Sequence, residues 1–276
     1  MSITEALPLQ DRVAFITGAG RGQGRAHAVR LAQDGADIIA VDICEDVPAI
    51  DYPQSSAEDL AETVSLVEST GRTIVAHQAD VRDYAALKAA FDDGFEQLGR
   101  IDIVVANAGV IRFGEEVDFL SEWQTVIDTN LTGVFHTVRV ALQPMLEGGR
   151  GGSIVLTSST AGIKGTGTHK AGAQAYTAAK RGLVGLMQNL ALDLAPHSIR
   201  VNTIHPTGVL TGMLMNDAML AMVEANDPGL AAMQNALPIE TLQPEDIANA
   251  VAWLVSDQAH YVTGASLPLD AGFTIR

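Results

Sequence analysis

Val13-Ala14-Phe15-Ile16-Thr17 is a short apolar run that passes without a break into Gly18-Ala19-Gly20-Arg21-Gly22-Gln23-Gly24, and over residues 22–34 the apolar spacing turns helical. A strand that ends in a glycine turn and opens a helix is the first half of a strand-helix-strand unit. Glycines there let main-chain amides approach a phosphate, and the helix amino terminus adds partial positive charge. The rest of the chain keeps the alternation. Apolar runs at 37–41, 73–77, 101–106, 153–157, 199–204 and 266–269 are separated by helical patterns at 57–70, 84–98, 130–146, 175–194 and 244–255. This predicts an α/β fold: a doubly wound (Rossmann) seven-stranded parallel sheet with helices on both faces. Ser56 followed by Asp59 marks one helix start as a capping box, and Pro244 occupies the first position of another.

A chain of 276 residues is the size of one such domain, so residues 1–276 are expected to form a single unit. Three stretches exceed an ordinary connection: 43–56, 161–174 and 207–237. Long segments of this kind inside a compact domain usually serve a function. The third, rich in Met213, Leu214, Met215, Met219, Leu220, Met222 and Met233, reads as short apolar helices covering an apolar substrate site. A formal charge of −16 with no cluster of Lys and Arg argues against nucleic acid and against anionic lipid. No apolar run is long enough to cross a bilayer, and residues 1–12 do not read as a secretory signal. The lone Cys44 allows no intrachain disulfide, and the seven histidines lack metal-ligand spacing, so no metal site and a cytoplasmic setting are expected.

The second strand pattern runs into Asp42, eighteen residues beyond Gly24. A carboxylate there can accept from both hydroxyls of an adenosine ribose and would repel a 2′-phosphate, so the cofactor expected is NAD rather than NADP. Arg21, in the turn itself, is the one residue that could clamp a 2′-phosphate instead.

Tyr176 and Lys180 stand four apart in a helical pattern and so share a face. A phenol is protonated at neutral pH, but a neighbouring ammonium, helped by a cationic nicotinamide ring, can lower its pKa enough for it to serve as general base on an alcohol or acid on a ketone. Thr157-Ser158-Ser159 places hydroxyls at the carboxyl edge of the sheet, where doubly wound folds bind ligands.

With the glycine turn, Asp80-Val81, Asn107-Ala108-Gly109, Asn130, Ser159, Tyr176 with Lys180, and Ile199-Arg200-Val201-Asn202 before Pro206, the chain resembles the short-chain dehydrogenase/reductase family over nearly its whole length. The resemblance implies that Ser159 holds the substrate oxygen and Tyr176 exchanges its proton. Lys180 would bind the nicotinamide ribose and tune Tyr176, and Asn130 would hold a water that relays protons. Asp80 and Val81 would flank the adenine, and Asn107, Ala108 and Gly109 would line the cofactor. Gly18, Arg21, Gly22, Gln23, Gly24, Asp42, Ile43, Pro206, Val209 and Thr211 complete the implied cofactor contacts.

Gln23 replaces the usual isoleucine, Ala106 replaces the first of two asparagines, Thr207 separates Pro206 from Gly208, and Ser159 lies seventeen residues before Tyr176 where thirteen is usual. These departures and the insert at 43–56 resemble the carveol dehydrogenase branch, an actinobacterial group associated with the redox cofactor mycofactocin. That resemblance implies a hydrophobic secondary alcohol such as a terpenoid, bound NAD recycled in place, and a homotetramer. Lys164, His169 and Lys170 form a small basic island suited to an anionic external electron acceptor. Two other readings stay open: an NADP-dependent carbonyl or oxoacyl-thioester reductase, and a non-catalytic dinucleotide sensor.

Overall fold

The computed structural model describes residues 7–114, 116–165, 169–225 and 234–276, with only the backbone of Met222. Strands β1 (Val13–Thr17), β2 (Asp37–Asp42), β3 (Ile74–Gln78), β4 (Ile103–Ala106), β5 (Gly152–Thr157), β6 (Ile199–Pro206) and β7 (Ser266–Leu269) form one sheet in the order β3-β2-β1-β4-β5-β6-β7. Every pairing is parallel. The chain leaves β1 toward β2 on one side and returns past it to β4 on the other. A crevice therefore opens at the carboxyl ends of β1 and β4, where the direction of winding switches.

Strand residues alternate between two cores. Val13, Phe15, Ile39, Val41, Val104, Ile154 and Leu156 face one, with Leu87, Phe91, Val138, Leu183 and Met187 from the helices. Ala14, Ile16, Ile38, Ala40, Ile103 and Val155 face the other, with Leu31, Leu60, Val251 and Val255. Because both faces are buried, the strands read as continuous apolar runs. The covering helices are α1 (Gly22–Gln33), α2 (Ala57–Glu68), α3 (Tyr84–Leu98), α4 (Phe119–Ile127), α5 (Gly133–Gly148), α6 (Ala171–Leu194), α7 (Asp217–Glu224) and α8 (Pro244–Val255). The capping box at Ser56 and Asp59 is present, and Pro244 opens α8.

The helix expected over 130–146 is different. Asp118 caps α4, a helix outside the expected patterns, and α4 runs through a π turn at Asp128–Thr132 into α5. Asn130 therefore lies inside a widened turn and does not open a helix. Helix α6 begins at Ala171 rather than 175, because the Glu116 carboxylate accepts from the Ala171 amide at 2.9 Å and caps it from a distant segment. This shortens the expected loop at 161–174, of which residues 166–168 lie outside the described set. Of the expected cover, residues 226–233, including Met233, also lie outside it; α7 buries Met219 but exposes Leu220 and Val223. Among the described residues no helix is long and apolar enough to cross a membrane, and no group of three metal-binding side chains occurs.

His27 of α1 is fully buried with neither ring nitrogen hydrogen-bonded. Burial lowers its pKa from 6.5 to about 3. The unfolded chain thus takes up a proton near pH 6.5 that the folded chain refuses, so stability falls as pH drops below that value. Between pH 7 and pH 5 this group should cost about 2 kcal/mol. Denaturant titrations at the two pH values should show that loss in the native chain and a smaller one in His27→Leu.

Candidate active site

The crevice is lined from one end to the other by the glycine turn, Asp42, Ile43, Asp80, Val81, Asn107, Ala108, Gly109 and Thr211. Gly18 and Gly22 hold φ of +68° and +55°. A methyl group on Gly24 would stand 1.9 Å from the Gly18 carbonyl oxygen, so only glycine lets α1 dock here. No side chain caps α1 and no acidic residue lies in its first turn, which leaves its amides directed at the crevice. Asn107 Nδ2 donates to the Thr17 and Gly18 carbonyls at 3.1 and 3.3 Å, pinning the turn to the end of β4. Gln23 also lines the crevice, and its buried Oε1 has no donor.

Asp42 is 6% exposed. Its carboxylate accepts from the Gly20 amide at 2.7 Å, the Cys44 amide at 3.2 Å and the Ser55 hydroxyl. Arg21 donates to the Pro53 carbonyl, so the one cation of the turn is engaged with the insert. Asp80 pairs with Arg82, whose Nε lies 2.8 and 3.0 Å from its oxygens.

The insert after β2 crosses the crevice and is stitched to the segment after β4. Asp51 accepts from the Gly114 amide at 2.5 Å, the Tyr52 hydroxyl from the Ile111 amide at 3.3 Å, and the Ala49 carbonyl from Arg112 at 3.2 Å. Val47, Ile50 and Tyr52 pack with Val110, Ile111, Phe113, Met213 and Tyr176 in one apolar cluster. The insert thus extends beyond the adenosine end of the crevice and walls the region of Tyr176. Val47, Tyr52, Gln54 and Ser55 line the crevice although no motif marked them; the length of the insert was their only signal.

Beyond β5 the hydroxyls divide. Ser158 Oγ donates to the Lys180 main-chain carbonyl at 2.8 Å and is buried, whereas Ser159 Oγ accepts from the Ala161 amide at 3.2 Å and lies near enough to Tyr176 to favour its ionised form. Lys180 is 3% exposed; its Nζ donates to the Thr157 carbonyl at 2.7 Å and lies 5.5 Å from the centre of the Tyr176 ring. Burial lowers the Lys180 pKa to about 7. Burial also raises the Tyr176 phenol, and the Ser159 hydrogen bond opposes that rise. Without the cofactor, the charge of Lys180 is itself disfavoured in the same enclosed site.

Asn130 is fully buried and both ends of its amide are occupied, Oδ1 by the Val110 amide at 2.8 Å and Nδ2 by the Val110 carbonyl at 2.7 Å. Its side chain orders the post-β4 segment. Pro206 and Val209, like Ser159, Tyr176 and Lys180, stand beside the crevice and not in its lining; Val209 is buried and bridges to Leu242. Among the described residues of the cover, Thr211, Gly212 and Met213 line the crevice, and Met215 points outward. The basic island is tied to the main chain of two other segments. Lys164 donates to the Arg276 carbonyl at 2.7 Å and Lys170 to the Phe113 carbonyl at 3.0 Å, leaving His169 exposed.

A family model described as enoyl-(acyl carrier protein) reductase matches residues 18–274. An uncharacterized oxidoreductase of Mycobacterium tuberculosis is 56% identical over 96% of this chain and 97% of its own. A (-)-trans-carveol dehydrogenase of Rhodococcus erythropolis is 47% identical over 97% of this chain and 99% of its own. The crystal structure of carveol dehydrogenase from Mycobacterium avium in complex with NAD superposes with a TM-score of 0.91 at 49% identity, covering 98% of this chain and 99% of that one.

The Asp51 carboxylate is the shortest tie between the insert and the segment after β4. Asp51→Ala should weaken the closed arrangement by about 1.5–3 kcal/mol. Hydrogen exchange should then quicken across residues 43–56 and at Gly114 while the β1 amides stay protected.

Proposed function

The chain belongs to the short-chain dehydrogenase/reductase family, and from that premise we propose that it is an NAD-dependent oxidoreductase interconverting a hydrophobic secondary alcohol and its ketone. The observation that carries the reading is the meeting of Tyr176, Ser159 and Lys180 at the carboxyl edge of the sheet, beside a crevice closed at its far end by Asp42. The crevice residues suit a dinucleotide: a glycine turn against which α1 docks only because Gly24 has no side chain, uncapped amides of α1, and an unsatisfied acceptor on Gln23. Bound NAD supplies the hydride acceptor. Ser159 Oγ holds the substrate oxygen and Tyr176 Oη takes its hydroxyl proton. Lys180 Nζ, anchored on the Thr157 carbonyl, adds positive charge beside the phenol and binds the ribose.

Three observations support the finer assignments. Asp42 presents a buried carboxylate to the ribose and Arg21 is engaged with Pro53, so a 2′-phosphate would meet a negative charge with no free cation. This favours NAD over the NADP-dependent carbonyl or oxoacyl-thioester reductase. The wall of Tyr52, Val110, Phe113 and Met213 suits an apolar ring, which favours a terpenoid such as carveol. The stitched insert suits NAD retained between turnovers and reoxidised in place by an external acceptor of the mycofactocin type. The exposed Val117, Phe119 and Leu120 suit burial against further copies in a homotetramer. The setting we assign is cytoplasmic.

Replacing Tyr176 with Phe should lower alcohol oxidation by about a thousandfold while NAD binding stays within a few-fold. A sensor would show no turnover to lose. Nucleotide titration should find NAD tighter than NADP by about two orders of magnitude. A screen in which only small polar alcohols react would reject the apolar assignment. Because burial raises the Tyr176 pKa, and only the deprotonated phenol accepts a proton, alcohol oxidation should accelerate as pH rises above neutrality and ketone reduction should slow.

A further inference from the structure

The last main-chain rung between β5 and β6 is the Ser158 amide donating to the Ile204 carbonyl at 2.9 Å. Ser159 lies one residue past it, in extended conformation, where the sheet no longer holds the chain. His205 supplies a further rung from its side chain. The residue is fully buried in β6, and its Nδ1 stands 2.8 Å from the Ser159 main-chain oxygen. Its other ring nitrogen, Nε2, stands 2.8 Å from Thr203 Oγ1, which in turn is 3.2 Å from Ser266 Oγ.

The protons in this chain can be assigned. A carbonyl oxygen only accepts, so the proton lies on Nδ1. Burial, with Lys180 and Arg181 nearby, keeps the ring neutral, so Nε2 is an acceptor and takes the single hydroxyl proton of Thr203. Thr203 Oγ1 then accepts from Ser266. Donation runs one way, from Ser266 at the edge strand through Thr203 and His205 to Ser159. The same Ser159 carbonyl accepts the Gly162 amide at 2.8 Å, so both its lone pairs are occupied.

We infer that His205 is a positioning residue that fixes the main chain of Ser159 so that the serine hydroxyl meets Tyr176. The inference rests on the hydride-transfer reading for its kinetic consequence but not for its geometric one. It also gives a physical reason why Ser159 is usable at a spacing of seventeen from Tyr176: the serine is located by β6, not by the length of chain leading to α6.

The test uses the full chain with the tyrosine ring carbons labelled for NMR, in His205→Leu, His205→Asn, Ser159→Ala and the His205→Leu/Ser159→Ala double variant. Ser159→Ala and His205→Leu should both move the Tyr176 titration to higher pH, and His205→Asn, which keeps a donor near the Nδ1 position, should largely restore it. With NAD and a secondary alcohol, His205→Leu should lower kcat by about 10–100-fold with the KM for NAD within about twofold. The double variant should be no worse than Ser159→Ala alone. An unmoved Tyr176 titration, an unchanged kcat, or additive losses in the double variant would overturn the inference. Should His205→Leu fail to fold, Thr203→Val removes the donor to Nε2 and carries the same comparison. If the native chain oxidises no alcohol, the functional reading fails, while the Tyr176 titration still decides the role of His205.

Discussion

Helix α1 approaches the end of β1 so closely that a methyl group on Gly24 would stand 1.9 Å from the Gly18 carbonyl oxygen. That contact sets the height at which the helix amino terminus opens onto the sheet edge, and much else follows from it. The uncapped amides of the first turn face the crevice between β1 and β4. Asn107, at the end of β4, can then bind the Thr17 and Gly18 carbonyls and hold the two strand ends in one plane. A side chain at position 24 would lift α1 away, and the amides and the Asn107 bonds would be lost together.

The insert after β2 gives the crevice a second wall without adding a domain. It turns away at Cys44, which has a φ of +50°, and the Asp42 carboxylate accepts the Cys44 amide across that turn. Arg21 and Asp51 then fasten the insert to opposite sides of the crevice. The carboxylate to which we assign the ribose thus also shapes the segment that covers the crevice. Tyr52 carries that cover as far as the apolar surroundings of Tyr176.

Two titratable groups share an enclosed site, and burial pushes both toward their neutral forms. Lys180 is held by a carbonyl rather than by a carboxylate, so no fixed negative charge secures its proton. The pair is therefore responsive: a positive charge brought beside the phenol favours its ionised form, and departure of that charge restores the neutral one. Ser159 is the neighbour that favours ionisation within the chain itself, which makes its placement by the end of β6 consequential.

The strands and most helices were legible because their signals are local. The apolar runs meet two cores through a period of two, and the capping box at Ser56 and the proline at 244 act on their own helices. The glycine turn, Asp42, and the pairing of Tyr176 with Lys180 were legible for the same reason, since their spacing along one strand-helix unit is their geometry. What sequence could not decide depends on partners remote in the chain. Glu116 starts α6 early, the Val110 main chain occupies Asn130, and Phe273 and the terminal carbonyl of Arg276 engage Lys164. The resemblance chose Ser159 over Ser158, and the fold supplies the physical reason, since the main chain of α6 occupies the Ser158 hydroxyl. Local periodicity and spacing determined the architecture and the type of chemistry; only tertiary contact, by satisfying or leaving open each buried polar group, decided which side chains are free to perform it.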